Sequence, residues 1–385
     1  MLKKRLLFLI CYIVYLGSEA QQPITETELL HRINNQQLFK NQSLIEGVLP
    51  SYICRKQTMH SDKINNNIFY NDLLIYTLKQ LELSLADTNQ HLCDSIISRA
   101  QTPFPKFENR KGRGTYNFWR TDSAYSFPYT WWVGLVHKKY APPDDLDVTA
   151  LSVMALGKDS TAASNIHQLM QGYTHSGKKS RSVERKYQSY HFYSSWFGKN
   201  FPVVLDVCVL ANVLCMVQKN NLHWSKSDSA SLNLIVNSIT NNDIAQHPLR
   251  VSPYYGKTSI ILYHLARLMS IREIDQLESV KPLLMKIAMD EYDKSSELLE
   301  KIIIASSMMR WGYNIPNLEM PDATQVERRI EKSNFPFFIG NVPSFLSHSK
   351  RTFLTKLKLG LFYHYCPAFN DALLLEYIML KKNRS

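Results

Sequence analysis

From residue 68 onward, apolar side chains recur every three and four positions, the spacing that lines up one face of an α-helix. Residues 68–82 (IFYNDLLIYTLKQLE) show it most plainly, and 92–100 continue as a second, shorter helix. The same period predicts helices over 144–156, 162–170, 202–219, 232–239, 257–270, 277–289, 295–310, 352–363 and 370–381. Pro143 before and Gly157 after the 144–156 segment agree with helix punctuation. Residues 203–217 are apolar almost all round, broken only by Asp206 and Asn212. They fall short of the ~20 residues a membrane span needs, so they predict a buried helix. No alternating strand set is found. Residues 21–60 read as a less regular lead-in. Residues 101–143 form a glycine- and aromatic-rich connector, and 172–190 a polar, basic one.

A weak repeat overlies this pattern. Leu146-Asp147-Val148 and Leu205-Asp206-Val207 each open an apolar helix that a more polar one follows, with the aspartates 59 residues apart. Further units begin near Lys257 and Ser295, and a last pair spans 352–381. Paired helices at periods of ~40–60 residues predict an array of helical hairpins. Closed on itself, with apolar inner and amphipathic outer helices, such an array is an all-α, α/α toroid. A toroid accommodates residues 21–385 as a single domain.

Composition sharpens the helical reading. The chain of 385 residues holds 13 glycines, where average usage of about 7% would give roughly 27. Glycine disfavours helix interiors by ~1 kcal/mol. Hydrophobic residues at 45% and charged residues at 20% exclude global disorder. Lys3, Lys4 and Arg5 precede an apolar run over 6–16, and Ser18-Glu19-Ala20 offers a small-residue cleavage site. Residues 1–20 therefore read as a secretory signal peptide, and the protein as exported, to the periplasm or beyond. Losing three cations and one anion with that leader lowers the net charge from +12 to +10. A basic exported protein suits an anionic membrane surface or an acidic glycan. The absence of a dense Lys/Arg block argues against nucleic acid. Five cysteines lie beyond the leader, Cys54, Cys93, Cys208, Cys215 and Cys366. Their odd number and irregular spacing form neither a disulfide framework nor a zinc signature. Cys54–Cys93 is a candidate bridge, and Cys208 and Cys215 share a helix face as core residues.

Candidate chemistry concentrates at Pro142-Pro143-Asp144-Asp145-Leu146-Asp147-Val148-Thr149-Ala150. Three carboxylates at one helix start suit the positive end of the helix. They also crowd like charges, which raises a pKa and keeps a carboxylic acid able to donate its proton. A capping role, with Asp144 as N-cap, is the alternative. On a helix Asp144 and Asp147 share a face and Asp145 points away.

The run Asp145-Leu-Asp147-Val-Thr149-Ala150 resembles the D-x-D-D-T-A signature of class II terpenoid cyclases, enzymes built from α/α toroids. The resemblance implies Asp147 as general acid toward an alkene or epoxide, with Asp145 as its partner. Val148 stands where that family carries its third aspartate. Glu108 to Trp119, which holds Gly112, Gly114 and Tyr116-Asn117-Phe118-Trp119, is similar in placement to glycine-plus-Trp turns of terpenoid-cyclase and prenyltransferase toroids. As a whole, the chain resembles small exported bacterial toroid proteins of unassigned function.

Aromatics gather in the connectors that lead into apolar helices: Tyr116, Trp119, Trp131 and Trp132, then Trp196, then Tyr254 and Tyr255. Around one toroid mouth they would stack sugars, stabilise a cation through their faces or hold an apolar small molecule. Fastening of loops onto the body is the plainer role. Asp206 at the repeat position of Asp147 offers a second carboxylate, the pair that glycoside chemistry needs. Three readings follow: a general acid on an apolar ligand, a glycan-active enzyme using Asp147 and Asp206, or a non-catalytic binding scaffold. His191, His247 and His264 form no metal motif, and Lys257 and Arg267 are candidates to meet an acidic group. No metal and no cofactor is expected.

Overall fold

The computed structural model describes residues 22–55, 63–122, 143–175, 177, 180, 182–198, 201–315, 318–333 and 335–384. The signal peptide assigned to 1–20 lies outside the described residues.

Six apolar helices form the centre: α2 (Phe69–Leu81), α4 (Leu146–Leu156), α6 (Val207–Lys219), α8 (Thr258–Met269), α10 (Leu298–Arg310) and α13 (Pro367–Lys382). Each packs on the next, and α13 returns to α2, so the packing order is a closed ring. That is the arrangement expected of an α/α toroid. An outer layer covers the ring: α1 (Glu26–Gln37), α3 (Asp87–Gln101), α5 (Ser160–Met170), α7 (Lys226–Thr240) and α9 (Asp275–Lys294). The short α11 (Ala323–Arg329) follows α10. Burial explains the division. Every residue of α8 is buried, whereas α9 buries only Leu277, Leu284, Ile287, Ala288 and Tyr292.

The first and last helices close the ring together. The outer helix α1 packs on the inner helix α13. Arg32 meets Glu331 through two 2.8 Å contacts, Gln36 donates to Asp371 at 2.7 Å, and Lys382 reaches Glu26 at 2.8 Å. Helix α1 falls within the lead-in expected to be irregular. Thr25 and Glu28 form a reciprocal capping box at its start, which satisfies amide donors that have no partner within the helix.

The absence of strands is also corrected. A four-stranded antiparallel sheet has the order β2-β1-β4-β3, from β1 (Ser51–Cys54), β2 (Lys63–Asn65), β3 (Phe338–Asn341) and β4 (Leu361–Tyr365). The helix expected over 352–363 is instead α12 (His348–Lys356) followed by β4. The turn 357–360 separates them, with Lys358 and Gly360 at positive φ, which ends the helix. Tyr52 pairs with Tyr365 and Ile339 with Tyr363, so the sheet joins distant parts of the chain. The candidate bridge does not form: Cys93 is a buried thiol, and Cys54 donates through Sγ to the Tyr363 carbonyl at 3.7 Å.

The sheet sits where inner helices begin. The Phe338 ring lies 5.0 Å from Phe69 at the start of α2 and 5.9 Å from Tyr255 before α8. The neighbouring Phe337 is 4.8 Å from Phe369 at the start of α13. These aromatics plug the N-terminal mouth of the ring. The opposite mouth carries Lys79, Lys219, Arg267 and Arg310 in the last turns of α2, α6, α8 and α10, where helix dipoles favour cations.

Candidate functional site

The start of α4 is built from its own sequence. Asp145, not Asp144, is the N-cap, and its side chain accepts from the Val148 amide at 3.0 Å. Thr149 donates through Oγ1 to the Asp145 carbonyl at 2.6 Å and accepts from the Tyr116 amide at 2.9 Å. Asp144 faces the preceding connector: Asn109 donates to it at 2.6 Å and Thr115 at 2.5 Å, with Arg113 at 3.8 Å. The acidic run thus welds the 108–119 turn to the ring, and one carboxyl, Asp147, is left to face inward.

Asp147 is 3% exposed. Asn212 of α6 donates to its Oδ1 at 2.8 Å, and the Tyr255 hydroxyl donates to its Oδ2 at 2.5 Å. Burial pushes its pKa up to about 6, against the hydrogen bonds from Tyr255 and Asn212 and the distant Arg267 charge, which pull it down. Burial also holds Asp145 well above the carboxylate range, and the Asp147 charge adds to the effect.

A third carboxyl joins them from α2. Asp72 is fully buried, accepts from Ser152 Oγ at 3.0 Å through Oδ1, and its Oδ2 has no hydrogen-bond partner among the described residues. Burial first, then Asp147 and Asp145, raise its pKa well above the ordinary value. Sequence reasoning passed over Asp72, whose only signal was a lone acid among apolar neighbours in 68–82.

Asp206 has a different place from the one its spacing suggested. It is the N-cap of α6, matching Asp145 rather than Asp147 in the repeat. It accepts from the Cys208 amide (2.9 Å), the Val209 amide (3.3 Å), Ser252 Oγ (2.6 Å) and the Tyr254 amide (2.9 Å). Burial raises its pKa to about 7 in spite of those donors. Its carboxylate binds the 252–254 loop to the ring.

The aromatic residues are buried around this cluster, not displayed on an open rim. Tyr116 packs on Phe104 and Trp119 on Phe118, with centroids 5.9 and 4.9 Å apart. Trp196 donates through Nε1 to the Tyr254 hydroxyl at 2.9 Å, and that oxygen lies 3.1 Å from Ser344 Oγ. Tyr255 sits edge-on to His264 at 4.5 Å. Gly256, at φ +59°, lets this loop pass close to the sheet, because a Cβ there would lie 2.5 Å from Leu249 and 2.7 Å from Ile339. Trp131 and Trp132 lie outside the described residues. Of the other polar candidates, Lys257 meets Glu300 at 3.2 Å, and His191 is exposed. His264 is buried, with Nδ1 2.8 Å from the Ile260 carbonyl and its pKa pushed down to about 3, mainly by burial. No protein-family model matches the chain, and no curated protein matches it in sequence.

Proposed function

We propose that the ring encloses a site for an apolar small molecule and that Asp147 is its general acid. One observation carries this reading: a carboxyl buried inside the ring, with its pKa raised to about 6, held by two oriented donors. Near neutral pH such an acid retains a useful protonated fraction. On transfer of its proton to a ligand π bond or oxygen, the carboxylate left behind is met by Tyr255 and Asn212. Aromatic faces around it stabilise a cationic ligand, and the carboxylate recovers the proton when that cation loses one. The resemblance of the Asp145–Ala150 run to terpenoid cyclases supports the same assignment. Asp206 binds four donors and holds two segments together, so the acid role falls to Asp147 alone rather than to a glycosidase-like pair.

A non-catalytic binding scaffold is the second reading. The plug of Phe337 and Phe338 against Tyr255 favours it. Ligand capture from periplasm-like extracts, with wild type compared to Asp147→Asn, separates the two. An isoprenoid retained unchanged only by the variant supports acid catalysis. The same unchanged ligand on both proteins supports the scaffold, a retained oligosaccharide supports a glycan partner, and no ligand on either overturns the general-acid reading.

An export route and a membrane-surface partner belong to the same proposal. Helix α12 and the following turn expose Phe353 (64%), Leu357 (52%) and Leu359 (53%). Lys350, Lys356 and Lys358 lie among them, and no acidic residue occurs between Glu331 and Asp371. Apolar side chains framed by cations fit an anionic lipid surface.

A further inference from the structure

Beyond its distant pull on the Asp147 pKa, Arg267 takes no part in the proton chemistry above, and its surroundings are unusual. It is 2% exposed, and its Nη1 and Nη2 meet no hydrogen-bond acceptor among the described residues. Its guanidinium lies 4.2 Å from the Tyr76 ring and 5.4 Å from the Tyr263 ring. Tyr76 belongs to α2, which lies across the ring from α8. A side chain of α8 that stacks on α2 therefore lies near the ring axis.

The charge around it is unbalanced. Arg310 is paired with Glu376 at 2.6 Å, both buried. Glu376 is the carboxylate near Arg267 on this side; its Oε1 accepts from Arg310, and its Oε2 meets no donor among the described residues, so one carboxylate stands among four cations at this end. Lys219 Nζ sits 4.8 Å from the same Tyr76 ring. Lys79 Nζ is at the end of α2, 3.6 Å from where a Cβ of Gly157 would lie. Partial burial, then the charges of Lys79 and Arg267, lower the Lys219 pKa. Helix C-termini favour cations as a group, but they leave the Nη protons of Arg267 without an acceptor. A buried guanidinium calls for a hydrogen-bonded counter-charge, and a planar oxyanion matches its fork.

We propose that the C-terminal mouth of the ring binds a small oxyanion, a carboxylate or phosphate group, held by Arg267 on the axis and by Lys219 and Lys79 at the rim. The site is separate from Asp147 and does not depend on acid catalysis there.

The test is thermal unfolding of the full chain in inorganic phosphate or in hexanoate, against sodium chloride at equal ionic strength. Binding to the folded state raises the melting temperature saturably with ligand. At least one of the two anions is expected to do so beyond chloride. A response to hexanoate alone assigns a carboxylate ligand, and one to phosphate alone a phosphate. Lys219→Met is expected to weaken the apparent affinity about tenfold, as loss of one charged contact does. Arg267→Met, similar in volume, is expected to abolish the response. Should Arg267→Met fail to fold, Lys219→Met and Lys79→Met decide. No stabilisation beyond chloride by either anion overturns the proposal, as does a response that survives unchanged in the folded variants.

Discussion

Two aspartates in similar sequence settings have different work at the residue scale. Asp206 satisfies amides and a hydroxyl from two segments, while Asp147 faces two side-chain donors inside the ring. Asp206→Asn turns one acceptor atom into a donor beside four donors. We expect a loss of about 1–3 kcal/mol, read as a lower urea midpoint at unchanged slope. Asp147 gives a pH signature. Its folded pKa of about 6 lies above the ordinary 3.8, so folding takes up a proton between those values. Its contribution to stability therefore falls as pH rises through that window and is flat above it. Asp147→Asn is expected to lose that slope in denaturation series, with the slope from Asp206 remaining. Asp147 was legible from its motif spacing. Asp72 was not, because an isolated acid in an apolar helix gives no pattern until a second helix approaches it.

Apolar periodicity recovered the inner helices at the element scale, since burial on nearly all sides leaves long apolar runs. It failed where short elements depend on distant partners. Strands β1 and β4 pair across about three hundred residues, and neither has enough length to show alternation. The start of α1 was legible in Thr25-x-x-Glu28, a capping box that a search for apolar runs overlooks. Thr25→Ala is expected to cost ~1 kcal/mol in thermal or urea unfolding. The exposed tip of α12 makes a separate prediction. Changing Phe353, Leu357 and Leu359 together to serine should abolish sedimentation with phosphatidylglycerol vesicles and leave the melting temperature nearly unchanged. Equal sedimentation of both proteins would remove the membrane partner.

Ring closure is the property that matters for the whole molecule. The hairpin repeat suggested a closed array, but its register was off by two residues, because Asp206 matches Asp145 rather than Asp147. What braces the closure was not visible in any repeat: α1 joins α13 through Gln36 and Lys382, while Arg32 ties α1 to Glu331 after α11. Removing residues up to Gln42 should lower hydrogen-exchange protection in α13, which packs on α1, and in α2, which packs on α13 in turn. Loss confined to α13 would mean that the ring does not act as one unit. The central claim is that the ring holds a carboxyl inside it that keeps its proton toward neutral pH. Carbon-13 titration of the aspartate carboxyls, with Asp147→Asn for assignment, tests it most directly. The account predicts one resonance that titrates near pH 6 and disappears in the variant. An Asp147 resonance that titrates near its ordinary value of 3.8 would contradict it.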